Sequence, residues 1–287
     1  MLLGIAFALL TSVSWAVANV FIQRSGKMMG APRALLWALV VGIIASAVIS
    51  PVLDARTVPV EPRHWTLLGL AGVTGLVGYF GIFAAFERAD LTVAVPVVSS
   101  WSLIASAGSV LVLGERLTAA DYLGAALVCG GVVAVGVAST RGLKGEGRKG
   151  GLFAVAAGTA GSVGFGLMMP LYGQVAPAFG AFAASAAIYV LCVALGAPLA
   201  LTLKMSLAPP PRAAWGLVLM AGAAETVGFV SVAIAQRYAP MTVVAPVSSL
   251  AATITVVYAW LILRQRQTFG TALGAALVCA GVVVLAL

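Results

Sequence analysis

LGAALVCGGVV, at residues 123–133, recurs as LGAALVCAGVV at residues 273–283, with one difference in eleven positions. The same offset of 150 residues superposes Pro96 on Pro246 without a gap. Chance similarity between helices rich in Ala, Gly and Val is the alternative, but chance does not keep one register over this distance. The chain is therefore predicted to be an internal duplication with two similar halves.

The composition excludes an ordinary soluble protein. Of 287 residues only 24 carry a charge, whereas 62% are hydrophobic and another 33 are glycine. A soluble domain of this length would carry roughly 70 charged residues, about a quarter of the chain. An apolar surface of this size would aggregate in water but suits a bilayer. The chain is therefore predicted to be an all-α polytopic membrane protein.

Ten apolar runs are long enough to span a bilayer, which takes about 20 residues per helix. They cover residues 2–22, 34–53, 65–86, 92–113, 121–139, 151–171, 180–203, 213–235, 241–263 and 268–287. Charged and turn residues separate the runs. We therefore divide the chain into a first five-helix repeat at 1–140, a basic linker loop at 141–150 and a second five-helix repeat at 151–287.

The odd number of spans in each repeat determines how the two repeats are related. A unit of five spans ends on the side of the membrane opposite to its start, so the second copy begins in the reverse orientation. Inverted repeats of this kind recur in secondary transporters, whose substrate site lies near the midplane between the halves. The predicted architecture is ten transmembrane helices, arranged as two inverted five-helix repeats around a central cavity.

Short motifs at the fourth and fifth spans carry a family resemblance. The fourth spans open with VPV at residues 95–97 and APV at residues 245–247, and LGERL follows at residues 113–117. With these motifs and its glycine-rich fifth and tenth spans, the chain resembles the ten-helix, EamA-type branch of the drug/metabolite transporter superfamily. Bacterial amino-acid exporters of the YddG type look nearest. Gln265 replaces Glu115 in the second copy, so a structural role is expected for Glu115.

This resemblance implies a secondary transporter that exports small metabolites across the bacterial inner membrane by alternating access. The implied substrates are amino acids, aromatic ones included, and related or toxic compounds, with protons as a candidate coupling ion and the lipid bilayer as partner. A multidrug transporter or a nucleotide-sugar or other metabolite transporter is the nearest alternative. An intramembrane enzyme and a passive pore are alternatives of another class. We expect a monomer without enzymatic activity or cofactor.

The positions of basic, histidine and cysteine residues argue against other functions. The net charge of +8 comes from Lys and Arg residues scattered between apolar runs, with no basic face that would bind nucleic acid. The one histidine, His64, is predicted to lie in a loop, and no histidine pair suggests a metal site. Cys129, Cys192 and Cys279 lie in apolar runs, where they are expected to be small packing residues.

Glu225 is the one carboxyl group expected deep in the membrane, about twelve residues into the eighth span. A charge at a helix centre costs roughly 2.5 kcal/mol or more on insertion scales, so such residues mark functional sites by default. Its repeat mate is Gly75, so packing common to both halves does not account for it. Two roles are open, a proton-coupling carboxylate and a partner for a substrate amine. The alternative is a protonated or hydrogen-bonded glutamate on a wet cavity wall.

Aromatic and polar side chains complete the predicted substrate site, because apolar zwitterions need flat walls and a few hydrogen-bonding groups. Trp15 and Asn19 are four residues apart, as are Tyr79 and Phe83, so each pair shares a helix face. The predicted substrate-binding residues are Trp15, Asn19, Tyr79, Phe83, Ser99, Trp101, Phe165, Met169, Tyr172, Glu225, Phe229, Ser248 and Tyr258. For each aromatic residue taken alone, core packing or lipid contact is the alternative.

Prolines and glycines suggest where the helices bend and approach one another. Pro96 and Pro246 lie four or five residues inside the fourth and ninth spans, where each removes a helix hydrogen bond and is a candidate hinge. The serines that follow are expected to satisfy freed carbonyls or to face a cavity. On the third span, glycine recurs at every third residue from Gly69 to Gly81, a winding stripe that lets several neighbours approach closely.

Two arguments disagree about the orientation of the chain in the membrane. The odd-numbered loops contain 12 Lys and Arg residues, whereas the even-numbered loops contain 4. The positive-inside rule then places the odd loops in the cytoplasm and both termini outside. The EamA-type resemblance implies that both termini lie in the cytoplasm. We follow the resemblance, because several of the odd-loop charges lie beside acidic residues.

Overall fold

The computed structural model describes residues 1–54, 56–113, 119–140, 145–265 and 268–285. Every regular element among these residues is helical. Eight helical segments are long and apolar enough to cross a membrane, and a further, shorter apolar helix lies near the C-terminus. The prediction of an all-α, multi-pass membrane protein is confirmed, whereas the number of ten spans stays a prediction.

Twelve α-helices occur within the described ranges. They are α1 (Leu2–Met29), α2 (Ala31–Leu53), α3 (Pro62–Arg88), α4 (Leu91–Val98), α5 (Trp101–Leu113), α6 (Ala119–Thr140), α7 (Gly145–Phe179), α8 (Ala181–Thr202), α9 (Trp215–Gln236), α10 (Met241–Ser249), α11 (Ala251–Leu261) and α12 (Phe269–Leu285). Helix α7 begins inside the predicted linker at 141–150. The first four residues of that linker, like Glu115, lie outside the described residues.

Two glycines make the duplication visible in the backbone. Gly30 separates α1 from α2 with φ 84° and ψ 145°, and Gly180, its repeat mate, separates α7 from α8 with φ 96° and ψ 150°. A residue with a Cβ atom would be strained at these positive φ angles, so both turns require glycine. Both α1 and α7 continue past the predicted first and sixth spans, because these helices end at their glycines and not where hydrophobicity falls.

The predicted fourth and ninth spans are each broken into two short helices. The first break lies at Ser99 and Ser100, between α4 and α5, and the second lies at Leu250, between α10 and α11. Pro96 and Pro246 precede these breaks within α4 and α10. Because a proline frees the carbonyl on its N-terminal side, the prolines alone do not explain breaks that follow them.

Two serines from the opposite repeats stabilise the breaks. Ser162 donates a hydrogen bond from Oγ to the carbonyl of Val97 at 2.9 Å. Its repeat mate, Ser12, donates from Oγ to the carbonyl of Val247 at 2.6 Å. Val97 and Val247 are themselves repeat mates. Each half therefore donates an additional hydrogen bond to a carbonyl at the break in the other half, which ties the two halves together there.

The glycine stripe on α3 allows close packing against two neighbouring helices, as predicted. A Cβ atom at Gly72 would lie 2.7 Å from the Leu191 side chain of α8, and one at Gly78 would lie 2.8 Å from the backbone nitrogen of Phe165 on α7. Glycine also occurs on the α7 side of the crossing, at Gly161 and Gly164. Helices α3 and α7 therefore cross with their backbones in contact, which brings the two halves together.

Contacts between helix ends show how the repeats are oriented. The start of α2 lies beside the end of α3, because the backbone N–H of Ala31 donates to Glu87 Oε2 at 2.6 Å. The end of α7 lies beside the start of α3, where the rings of Trp65 and Phe179 are 4.8 Å apart. Helix α1, which leads into α2, and its counterpart α7 therefore run in opposite directions. We call the end of the bundle with Trp65 and Phe179 the N-terminal end, since α1 begins there, and the other the opposite end.

Two acidic residues at span ends cap helices, namely Asp54 and Glu87. The carboxylate oxygens of Asp54 accept the backbone N–H groups of Phe182 and Ala183, both at 2.8 Å, at the start of α8. Glu87 serves the start of α2 in the same way. The first turn of a helix has unpaired N–H groups and a positive dipole end, so a carboxylate is favourable there. These carboxyl groups therefore have structural roles at the ends of the bundle.

The prediction that His64 lies in a loop is wrong. His64 is buried in the first turn of α3, where its Nδ1 accepts the backbone N–H of Glu61 at 2.9 Å. Glu61 in turn accepts a backbone N–H of that first turn, which completes a reciprocal capping box. The histidine therefore begins a helix, an arrangement that the residue type alone did not indicate.

Candidate functional site

A cavity lies at the centre of the bundle, where α1, α3, α7 and α9 meet the two helix breaks. Its aromatic walls are Trp15, Tyr79, Phe83, Trp101 and Phe165, its polar walls are Asn19, Ser99, Glu225 and Ser249, and its aliphatic walls are Ile22, Ile82, Val98 and Ala251. Its volume is about 40 Å³. A water molecule needs roughly 10–15 Å³ of such space, so the cavity has room for about three of them.

Four aromatic rings form one connected wall. The ring centroids of Trp15, Trp101 and Phe165 lie between 5.4 and 5.5 Å from one another, each pair edge to face. Tyr79 meets Phe165 at 5.6 Å with the same geometry. Edge-to-face pairs place the positive ring edge against the negative ring face, which holds each ring in position. The cavity therefore has a preformed, polarizable wall.

Glu225 lies beside this wall and carries the one carboxyl group among the described residues that line the cavity. Its side chain is buried, and the Tyr79 hydroxyl donates a hydrogen bond to Oε1 at 3.0 Å. The indole nitrogen of Trp15 lies close to the same carboxyl group. No acceptor in the described part of the chain satisfies that indole N–H with hydrogen-bond geometry. The Tyr79 hydroxyl therefore fixes one oxygen of the Glu225 carboxyl group, while the buried Trp15 N–H makes no hydrogen bond of standard geometry.

Gly228, almost one turn after Glu225 on α9, lets the Trp15 ring approach α9 closely and so brings Glu225 to the cavity. A Cβ atom at Gly228 would lie 2.6 Å from the Trp15 indole ring, so no larger residue fits there. Residues i and i+3 share a helix face, so the glycine that admits the indole lies beneath the carboxyl group. The pair Glu225 and Gly228 therefore forms a recess that the Trp15 ring fills.

Two further polar groups line the cavity on α1 and α10. Asn19 donates from Nδ2 to Thr255 Oγ1 at 3.1 Å, which links α1 to α11. Ser249 is buried, and its hydroxyl has no hydrogen-bond partner among the described residues. A buried, unpaired hydroxyl is costly unless a ligand or water meets it. The Ser249 hydroxyl therefore gives the cavity a neutral group that is available to a ligand.

The cavity lies on the axis that relates the two repeats. Three pairs of repeat mates line it together, namely Trp15 with Phe165, Ser99 with Ser249 and Trp101 with Ala251. The symmetry ends at the carboxyl group, because the counterpart of Glu225 is Gly75, where a Cβ atom would lie 2.6 Å from the sulfur of Met168. Asn19 likewise corresponds to Met169. The pseudo-symmetric shape is therefore lined by asymmetric chemistry.

A layer of packed rings separates the cavity from the N-terminal end. Tyr172 and Phe229 stack with centroids 4.2 Å apart, and Tyr189 stacks on the other side of Phe229 at 5.3 Å. All three side chains are fully buried. Tyr172 is anchored through its hydroxyl, which donates to the carbonyl of Ala181 at 2.9 Å. We call Tyr172, Tyr189 and Phe229 the aromatic layer.

A thinner layer separates the cavity from the opposite end. Gln23, one turn beyond Asn19, donates from Nε2 to the carbonyl of Ala89 at 2.9 Å. Gln265 donates from Nε2 to Gln23 Oε1 at 3.2 Å. Gln23 belongs to the first repeat and Gln265 to the second. This glutamine pair therefore joins the halves with one hydrogen bond between flexible side chains.

The structure brings eight of the thirteen predicted substrate-binding residues around the cavity. Met169, Tyr172 and Phe229 are instead fully buried below it, and Ser248 is buried beside the cavity-lining Ser249. Tyr258 lies apart, in an outer groove between α1 and α11, and is 37% exposed. These five residues are therefore structural neighbours of the cavity or lie outside it, as the alternative of core packing or lipid contact allowed.

Five lining residues were not in the predicted substrate-binding set. Ile22, Ile82 and Val98 are aliphatic and have no chemistry that distinguishes them from other apolar residues in the spans. Ser249 was among the serines expected to satisfy freed carbonyls or to face a cavity. Ser249 and Ala251 are the repeat mates of the predicted Ser99 and Trp101. Applying the offset of 150 residues to each predicted residue would have found both.

Among the described residues, no group of three or more His, Cys, Asp or Glu side chains is placed to hold a metal ion. The cavity lining offers one carboxylate, hydroxyls, an amide and indole N–H groups. Such a set can hold a small organic molecule through charge, hydrogen bonds and ring contacts.

Two comparisons with known proteins match nearly the whole chain. The model of the EamA-like transporter family matches residues 2–137 and again residues 150–287, so each half matches by itself. A solved structure described only as "Crystal structure of protein" superimposes with a TM-score of 0.69. The match covers 98% of this chain and 95% of that one at 19% sequence identity, which shows a shared fold. No curated protein matches the chain.

Proposed function

The chain belongs to the EamA-like transporter family, and from this premise we propose that it exports small metabolites, amino acids first among them, by alternating access. Family membership and the long apolar helices make it a multi-pass membrane protein that transports small molecules. The observation that carries the finer proposal is the central cavity, which combines an aromatic wall with one buried carboxyl group at the meeting point of the two repeats.

The lining suits an amino acid with an apolar side chain. Trp15, Trp101 and Phe165 offer flat walls, and Glu225 offers a partner for an ammonium group. Neutral donors, such as the Ser249 hydroxyl, remain for the carboxylate. We therefore propose that aromatic amino acids are among the substrates. We also propose that the chain is related more closely to YddG-type exporters than to other members of the family. A cavity with room for a few waters must widen to admit aromatic amino acids, so the cavity is contracted in this conformation.

Movement of the two halves would widen the cavity. We expect ten spans in two inverted five-helix repeats that rock against each other, with Pro96 and Pro246 as bend points. The glutamine pair, with its one hydrogen bond between halves, is the layer that opens first towards the opposite end. The aromatic layer opens towards the N-terminal end. The two halves have equivalent folds but are packed differently at any moment. When they swap these packing arrangements, the cavity opens first to one side of the membrane and then to the other. Glu225 is our candidate for coupling this exchange to protons.

Transport into proteoliposomes tests this proposal. Vesicles that contain the purified protein and a high internal concentration of phenylalanine should accumulate external labelled phenylalanine, and the rate should saturate. Counterflow is expected because a carrier returns only through a state that faces the other side. Flux that never saturates would favour a pore, and no flux with any amino acid, drug or metabolite would contradict transport. Saturable flux of drugs alone would favour the multidrug alternative.

We propose that the protein lies in the bacterial inner membrane with both termini in the cytoplasm. A fluorescent protein that matures only in the cytoplasm, fused after Leu287, should therefore be bright. The 12 basic residues of the odd-numbered loops predict the reverse, a dark fusion. A periplasm-active enzyme fused at the same position is the matched control, and activity of that fusion would overturn the proposed orientation.

A further inference from the structure

We infer that the central cavity selects organic cations, namely protonated primary amines attached to an aromatic or other apolar body. This deepens the proposed transport function and rests on it. A substrate carboxylate is then unnecessary, and an anionic substrate is excluded.

Charge at the cavity points to a cationic substrate. Glu225 carries the one carboxyl group among the described lining residues, and none of those residues is Lys, Arg or His. A buried charge is stable only beside an opposite charge or several hydrogen bonds, so a substrate anion would meet a carboxyl group and no cation. A substrate cation would meet its counterion. The cavity therefore distinguishes the two by repulsion as well as by attraction.

The geometry around Glu225 leaves room for an ammonium group. Tyr79 donates to Oε1 at 3.0 Å, and Oε2 accepts no hydrogen bond of standard geometry from the described residues. A primary ammonium carries three donors, one of which can meet that oxygen. The rings of Trp15 and Trp101 stand in the same wall, 5.5 Å apart. Aromatic faces attract a cation through the ring quadrupole, most strongly when water is excluded. The carboxyl group and the rings thus favour the same charge.

The carboxylate of an amino acid finds weaker partners here. The Ser249 hydroxyl, a neutral group with no partner among the described residues, is a group that could receive it. A neutral hydrogen bond to a carboxylate offsets less of its desolvation than an ion pair does. We therefore expect the amine to bind best, the zwitterionic amino acid to bind less tightly, and the corresponding acid not to bind.

Equilibrium binding to the full-length protein in nanodiscs of zwitterionic lipid tests this order. Radiolabelled 2-phenylethylamine is the probe, with L-phenylalanine and 3-phenylpropionate as competitors at pH 7. The three share one ring and a similar chain, and they differ in net charge. We expect phenylethylamine to bind saturably and at least about tenfold more tightly than phenylalanine, with no competition by phenylpropionate. Equal competition by the acid, or no saturable amine binding, would overturn the inference. This comparison requires no variant.

A substitution at Glu225 provides a second test of the inference. Glu225→Gln keeps the size of the side chain and the acceptor for Tyr79, and it should weaken amine binding at least about tenfold. Glu61→Gln is the matched control, because it removes a carboxylate that is exposed at the surface and should leave amine binding unchanged. Size-exclusion profiles show whether each variant is folded. Unchanged amine binding by folded Glu225→Gln would contradict the inference.

The same ligands separate this inference from the proposed function. If the amine binds with the expected selectivity but no solute crosses proteoliposomes, export fails while the selectivity of the cavity stands. If phenylalanine is transported saturably and phenylpropionate inhibits its transport as well as phenylethylamine does, export stands and cation selectivity fails.

Discussion

Replacing Gly81 with alanine is expected to destabilise the folded protein strongly. A Cβ atom at this position would lie 2.5 Å from both the carbonyl oxygen of Ala157 and the backbone nitrogen of Gly161. Both contacts are with the backbone of α7, which cannot rotate away as a side chain can. The whole helix would have to shift, and α3 and α7 are the helices through which the two repeats cross with their backbones in contact.

The expected size of this effect follows from the cost of overpacking. Inserted methyl groups in a packed core cost about 1–3 kcal/mol and occasionally more, and a backbone contact belongs at the upper end. For a chain of this size, a loss of about 3 kcal/mol lowers the apparent Tm by roughly 10 °C. Thermal unfolding of the protein extracted in mild detergent, followed by fluorescence-detected size exclusion, measures this shift.

Gly69→Ala is the matched control. Gly69 lies on the same helix and in the same stripe, but a Cβ atom there would meet nothing within 4 Å. Both substitutions gain about the same intrinsic helix propensity, roughly 1 kcal/mol for alanine over glycine in a helix interior. Gly69→Ala should therefore leave the Tm unchanged or raise it. Equal stability of the two variants would show that the backbone contact between α3 and α7 is not needed.

Linking the glutamine pair covalently is expected to stop transport. Cysteines introduced at Gln23 and Gln265 would replace two amide groups that already meet at 3.2 Å across the two halves. A short bifunctional methanethiosulfonate reagent should then lower counterflow to below about a tenth of the untreated rate, because alternating access requires the halves to separate on this side. A reductant should restore the rate, since it breaks the link without refolding the protein.

A cysteine pair within one repeat is the control for this experiment. Lys27 and Asp90 lie at the same end of the bundle, with Nζ and Oδ1 3.3 Å apart, but both belong to the first repeat. Linking them should leave counterflow largely intact. The assay needs a background in which Cys129, Cys192 and Cys279 are replaced by alanine. Full transport with the Gln23–Gln265 link in place would contradict rocking of the two halves.

The sequence predicted the duplicated architecture because duplication leaves a one-dimensional record. The offset of 150 residues anticipated paired features in the backbone, such as the two glycine turns at Gly30 and Gly180. The stripe ending at Gly81 likewise predicted close packing, since a missing side chain lets helices approach wherever it occurs. It did not identify α7 and α8 as the partners, because a small residue does not specify what fills the space beside it.

The candidate site was predictable only in part, for a geometric reason. Spacing shows which residues share a helix face but not which way the face points, and Tyr258 therefore lies in an outer groove while Trp15 lines the cavity. Neighbouring residues on a helix point about 100° apart. Ser249 consequently reaches the cavity, whereas Ser248 is buried beside it.

By itself, the sequence determined that this is a duplicated membrane protein whose one deep carboxyl group is Glu225. Scarce charge and a constant repeat offset are properties of the chain, and no packing can alter them. Only the tertiary structure decided that Glu225 meets Tyr79 and the Trp15 ring in a cavity on the axis between the repeats. Those residues lie far apart along the chain, and crossing helices bring them together through contacts that local spacing does not encode.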